Sequence, residues 1–208
     1  MPSSGEVANI LSKVTLQRLG SVNAIGQALR GHGLLSKSGR GRSAAEMSVT
    51  DITNWTLAIL GTDTISAAPR MVEFLRPLPF NESLSEPIPK ALSDHFSFWK
   101  HDKAGDAIEA LLLDIRKGVL DTEPPINVKL HVVRSGEIGI DITWPRSNPE
   151  TGANISASLL FARGLGPEAV ARDMAEDLPP GIGDDVQYVS IIRKRGLWKL
   201  AGLFPART

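Results

Sequence analysis

Four cations spaced through a glycine- and serine-rich stretch, LRGHGLLSKSGRGRSAA at residues 29–45, carry the most distinctive chemistry in this chain. Arg30, Lys37, Arg40 and Arg42 lie among Gly31, Gly33, Gly39 and Gly41, so the backbone can approach a surface closely while charged groups reach it. That combination suits a polyanion such as nucleic acid. Just upstream, Asn23, Gln27 and Arg30 share one face of a helical period. These residue types contact base edges or phosphates from a helix in the major groove, although they equally make an ordinary solvent face. A second basic cluster, Arg193-Lys194-Arg195-Gly196-Leu197-Trp198-Lys199, sets four cations beside a tryptophan. Such a mixture can grip phosphate and stack on a base. The preferred reading here is a hairpin turn with solvated charges and a buried Trp198, since strand ends commonly carry Lys and Arg.

No catalytic constellation can be assembled. His32, His95, His101 and His131 form no His-Glu-x-x-His motif, and the six-residue spacing of His95 and His101 does not fit one helical face. Asp184 and Asp185, with Glu176 and Asp177, offer hard oxygen ligands for magnesium but read more simply as loop charges flanking Pro179-Pro180. Gly164-Leu165-Gly166 lacks a third spaced glycine or a Lys-Ser/Thr tail, and no Gly-x-Ser-x-Gly elbow occurs. Cysteine is absent, which removes disulfides and thiolate chemistry. No catalytic, cofactor-binding or metal site is therefore expected.

At 208 residues, 42% hydrophobic and 22% charged, the chain has the make-up of a globular protein of one large or two small domains. No apolar run reaches the about 18 residues of a membrane span, and the N-terminus lacks the pattern of a secretory signal, so the expected compartment is the cytoplasm. The net charge of zero conceals an asymmetry. Residues 7–45 hold six cations (Lys13, Arg18, Arg30, Lys37, Arg40, Arg42) and no Asp or Glu, whereas residues 81–123 hold nine carboxylates against five cations. The first fifth would attract the polyanion that the middle repels.

The elements that must position these groups follow from periodicity. Val7, Ile10, Leu11, Val14 and Leu19 predict a helix over 5–19, with Ser3 or Ser4 as N-cap, Gly20 ending it and Ser21 capping a second helix to about 30. Ser48-Val49-Thr50-Asp51 has the form of a capping box and predicts a third helix over 49–60, with Ile52, Trp55, Thr56 and Ile59 inward. A fourth is expected over 64–75, with Pro69 tolerated near its start. Residues 1–78 thus read as a helical module with a basic loop, and 79–102, with Pro79, Pro87 and Pro89, as a linker or strap. In residues 103–208 a helix over 103–120, with Asp106, Glu109, Asp114, Arg116 and Lys117 outward, precedes a change to period two. Strands are expected over 128–133, 138–144, 155–162 and 186–194, with a helix over 166–178 and a final segment, 197–204, pairing back or helical. The fold class is α+β: a helix-turn-helix-like N-terminal module, then an antiparallel sheet with one or two helices.

The run Ala28-Leu29-Arg30, Gly33-Leu34-Leu35, Lys37, Gly39-Arg40-Gly41-Arg42-Ser43-Ala44, then Met47 and a capped helix with Asp51, resembles the N-terminal part of small uncharacterised proteins encoded in bacterial prophages. The resemblance spans roughly the first 60 to 80 residues and implies a context rather than a site: a phage gene product in a bacterial cytoplasm, where small helical DNA-binding modules are common. The expectation is a non-enzymatic DNA-binding protein, regulatory or accessory to DNA handling. Lys37, Arg40 and Arg42 would contact phosphate, and Asn23, Gln27 and Arg30 bases or phosphate. A homo-oligomer, most simply a dimer, is expected, because paired half-sites double the contact set. The alternatives are a virion assembly or packaging oligomer, and an adaptor or inhibitor that binds a host protein through the apolar, acidic strap.

Overall fold

The computed structural model describes residues 2–36, 46–62, 64–82, 85, 87–117, 126–132, 138–147, 154–162, 189–192 and 194–203. Helix α1 (Ser4–Thr15) begins at a complete capping box: Ser3 Oγ accepts from the Glu6 amide, and the Glu6 carboxylate accepts from the Ser3 amide at 2.7 Å. Val7, Ala8 and Leu11 form its buried stripe. The helix stops at Leu16, not at Gly20. Leu16 takes a left-handed conformation (φ 58°), and Ser12 Oγ donates to the Gln17 carbonyl at 2.7 Å, which closes the turn locally. Arg18 is the N-cap of α2 (Leu19–Gly31), with no side-chain capping bond. Gly20 and Ser21 therefore lie inside the first turn of α2, and Leu19 is exposed instead of completing the α1 stripe.

Val22, Ile25, Gly26 and Leu29 of α2 face α3 (Val49–Gly61). Gly26 permits the close crossing: a Cβ there would sit 2.3 Å from Trp55 Cζ2, and Trp55 Nε1 donates to the Val22 carbonyl at 3.2 Å. The predicted capping box of α3 is present. One inward stripe was expected, yet every residue from Asp51 to Gly61 is buried, because α3 is packed on by α1, α2, α4, α6 and the sheet. Helix α4 (Ala68–Leu75) starts later than the predicted position 64. Pro69 lies in its first turn, where the missing amide costs nothing, and a turn over 65–67 precedes it.

The proline-containing segment holds a short helix, α5 (Lys90–Ser93), and a 3-10 turn (Phe98–Lys100). Backbone bonds from Phe80 N to Asp102 O and from Ala104 N to Leu78 O tie its two ends together. Helix α6 (Ala104–Arg116) buries Ala107, Ile108, Leu111, Leu112 and Ile115. Positions 118–120, where the predicted helix ended, lie outside the described residues. Asp114, expected outward, is buried: its carboxylate accepts from the Ser97 amide and hydroxyl, both at 2.6 Å, and from Lys117 Nζ at 2.8 Å.

Strands β1 (Asn127–Val132), β2 (Ile138–Ser147), β3 (Asn154–Ala162) and β4 (Val189–Ile192) form an antiparallel sheet in the order β3-β2-β1-β4. Val128 pairs with Ile142, and Ile140, Ile142 and Trp144 alternate into the core as their period requires. The predicted 166–178 helix lies outside the described residues. Of the two alternatives for the final segment the helical one holds, with an earlier start and no hairpin turn: residues 194–201 form helix α7 (Lys194–Ala201). The reason is packing. Leu197, Leu200 and Ala201 are buried at helical spacing, and Gly196 lets the helix close on Ile192 and Val14, each 3.1 Å from where a Cβ would lie. The fold is α+β, and one buried cluster joins Leu11, Trp55, Phe98, Leu111, Ile142 and Leu200 from all parts of the chain.

Candidate nucleic-acid interface

Helices α1 and α2, joined by the three residues Leu16, Gln17 and Arg18, pack on each other and on α3, which leaves one face of α2 to solvent. Asn23 and Gln27 are exposed there, one helical turn apart. Leu16, 92% exposed, and Leu19, 40% exposed, stand at the same end of the helix. Arg30 differs from the other two candidates. Its guanidinium carbon lies 5.9 Å from the centroid of the Trp55 ring, and its Nε is enclosed without a hydrogen-bond partner. The stacking holds the side chain in a defined place against α3.

Beyond Arg30 the chain leaves α2 through a tight turn. The Gly33 amide donates to Arg30 O at 3.1 Å and the Leu34 amide to Leu29 O at 2.9 Å, with Gly33 at φ 75°, a conformation that glycine adopts without strain. Leu35 is then buried. Lys37, Arg40 and Arg42 lie outside the described residues. Asp51 holds both ends. Its carboxylate accepts from the Ser36 amide and hydroxyl at 2.7 Å each, and from the Ser48 amide and hydroxyl at 2.8 Å each. The returning end is also tied to the start of α1: the Met47 amide donates to Pro2 O at 2.8 Å, Ser3 bridges Glu46, and the Met47 side chain is buried.

A chain of polar side chains backs this base. Asn54 Nδ2 donates to Leu34 O at 2.8 Å, Arg76 Nη1 donates to Asn54 Oδ1 at 2.7 Å, and Arg76 Nη2 pairs with Glu109, with Asp106 at 3.6 Å. Both hydrogen-bonding faces of the Asn54 amide are thus used, and the turn after α2 is connected to α6 through three side chains. The structure places Asn23, Gln27 and Arg30 on one helix and fastens the two ends of the basic stretch close to its end. Sequence reasoning found Asp51 as a helix cap but missed Ser36, fifteen positions away, and missed Asn54, Arg76 and Glu109, whose contacts have no local spacing signal.

At the start of α1, the Ser3 amide, and after it the Ser3 hydroxyl, hold the Glu6 carboxyl below its ordinary value. Among the described residues no three His, Asp or Glu side chains are grouped to hold a metal ion, and no helix is long and apolar enough to cross a membrane. A shallow groove of about 590 Å³ lies on the strap, lined by Phe80, Glu82, Ser85, Pro87, Ile88 and Trp99. Of the second basic cluster, residues 194–199 lie in α7 and not in a hairpin turn, and Arg193 lies outside the described residues. No family model, curated protein or solved structure matches the chain.

Proposed function

We propose that this chain is a non-enzymatic DNA-binding protein of phage or prophage origin, regulatory or accessory to DNA handling in the bacterial cytoplasm, and acting as a dimer. The observation that carries the reading is the Asp51 fastening. A stretch holding Lys37, Arg40 and Arg42 departs from and returns to one buried carboxylate, beside a helix whose free face displays Asn23 and Gln27. Ser36 and Ser48 are already ordered on this carboxylate, so their conformational entropy is not lost again when DNA binds. Charge agrees, since residues 7–45 contain six cations and no carboxylate. Lys37, Arg40 and Arg42 act as phosphate contacts, and Arg30, steadied by Trp55, reaches a phosphate from the end of α2.

The test is fluorescence anisotropy with duplex DNA across a salt series. Neutralising three to five phosphates gives a slope of log K against log salt of roughly −3 to −4.5, and an Arg40→Ala, Arg42→Ala double variant flattens it by roughly two units. Absence of binding at low salt, or an unchanged slope in the variant, refutes the reading. The strap groove, with its aromatic walls and Glu82, favours the adaptor as the second reading; a host protein retained by the full chain and released by Trp99→Ala supports it.

A further inference from the structure

We infer that the free face of α2 reads A·T base pairs in the major groove; the inference rests on the DNA-binding reading above and names the sequence class it takes. The argument starts from what the face contains and what it lacks. Its exposed polar side chains are Asn23 and Gln27, one helical turn apart. Asn and Gln are the side chains whose amides match the N7 acceptor and N6 donor of adenine, and apolar side chains are what the thymine methyl group takes. Leu16, 92% exposed at a left-handed position where the chain turns into α2, and Leu19, 40% exposed, put apolar surface at the same end of the helix. Among the described residues, these two and Ile65 are the exposed large apolar side chains.

Guanine is read chiefly by Arg or Lys in bidentate contact with O6 and N7. Within α2 the single cation is Arg30, at its C-terminal end; Arg18, the exposed N-cap, precedes the helix. The Arg30 guanidinium lies over the Trp55 ring with Nε enclosed, so it is not free to extend across the groove floor as a fork. The spacing also fits. Asn23 and Gln27 are four residues apart, about 6 Å along the axis, which is close to two base-pair steps of about 3.4 Å. The partner is thus a duplex with adenines two steps apart under Asn23 and Gln27. Charge complementarity with the phosphates comes from the carboxylate-free basic block that contains α2.

The experiment uses the full chain and three fluorescent 20-base-pair duplexes: alternating A·T, alternating G·C, and the A·T duplex with 7-deazaadenine in place of adenine. The modified base lacks the N7 acceptor in the major groove and leaves the minor-groove edge unaltered. Binding to A·T DNA about tenfold tighter than to G·C DNA is expected. The 7-deaza duplex loses that advantage, and an Asn23→Ala, Gln27→Ala double variant loses it too while keeping its salt slope and melting temperature. Equal affinity for the three duplexes, a G·C preference, or an A·T preference that survives the base or side-chain change overturns the inference and leaves the DNA-binding reading standing. No binding to any duplex at low salt overturns both.

Discussion

Replacing Asp51 by Ala removes at once the fastening of the basic stretch and the cap of α3. The carboxylate accepts four hydrogen bonds, two from Ser36 and two from Ser48, at 2.7–2.8 Å. Bonds to an ionised group are each worth about 1.5–3 kcal/mol, but they share one acceptor and do not add. On the Ser48 side the loss is that of a capping box, about 1–2 kcal/mol. On the Ser36 side the residue is exposed, so water replaces the carboxylate and the loss is nearer 1 kcal/mol. The sum is about 2–3 kcal/mol, which lowers the melting temperature of a chain of this size by roughly 5–12 °C. Circular dichroism reads the melting, and amide hydrogen exchange reads the site, because the Ser36 and Ser48 amides both donate to Asp51. In the Asp51→Ala protein both amides exchange faster than in the wild type, while the amides of α6 away from Asn54 keep their order of protection. Ser36→Ala, which removes only the loop-side hydroxyl bond, weakens DNA binding with an unchanged salt slope, since the cations remain and only their placement suffers. A melting temperature within 2 °C of wild type, together with unchanged exchange at Ser36 and Ser48, would show that Asp51 does not hold the two ends.

Two further substitutions test the frame that carries the site. Gly26→Ala places a Cβ 2.3 Å from the rigid Trp55 ring, so α2 and α3 must separate; a loss of about 1–3 kcal/mol in denaturant unfolding is expected, and a neutral result refutes the crossing geometry. The lowered pKa of Glu6 makes the α1 cap dependent on pH. A carboxyl depressed in the folded state contributes stability above its unfolded pKa and loses it as pH falls through the folded one. The melting temperature of Glu6→Ala therefore lies below wild type at pH 7, and the gap narrows as pH falls below the ordinary value of 4.5; a gap independent of pH assigns the effect to helix propensity alone.

Where one residue's neighbours lie within a few positions, its role was legible without a structure. The Ser48–Asp51 box marks the start of α3 because Ncap and N3 meet within a single turn. The alternation Val128-Lys129-Leu130 against Ile138-Gly139-Ile140 yields the β1–β2 pairing because a pleated strand has period two. The α+β class follows from the change of period after α6. Asn23 and Gln27 could be set on the polar side of α2 by spacing alone, and both are exposed. The tertiary structure decided everything that depends on distant parts of the chain. Glycine and serine at positions 20 and 21 look like a helix stop and a cap, but the left-handed turn at Leu16 came first and absorbed them into α2. Residues 193–199 look like a strand end with solvated charge, yet burial of Leu197, Leu200 and Ala201 against the rest of the core winds 194–201 into a helix. Arg30 belongs to a basic cluster in the sequence and to Trp55 in the fold. Asp51, a cap by local pattern, also binds Ser36, because a carboxylate has more acceptor capacity than one helix end uses and only the folded chain brings a second donor within reach.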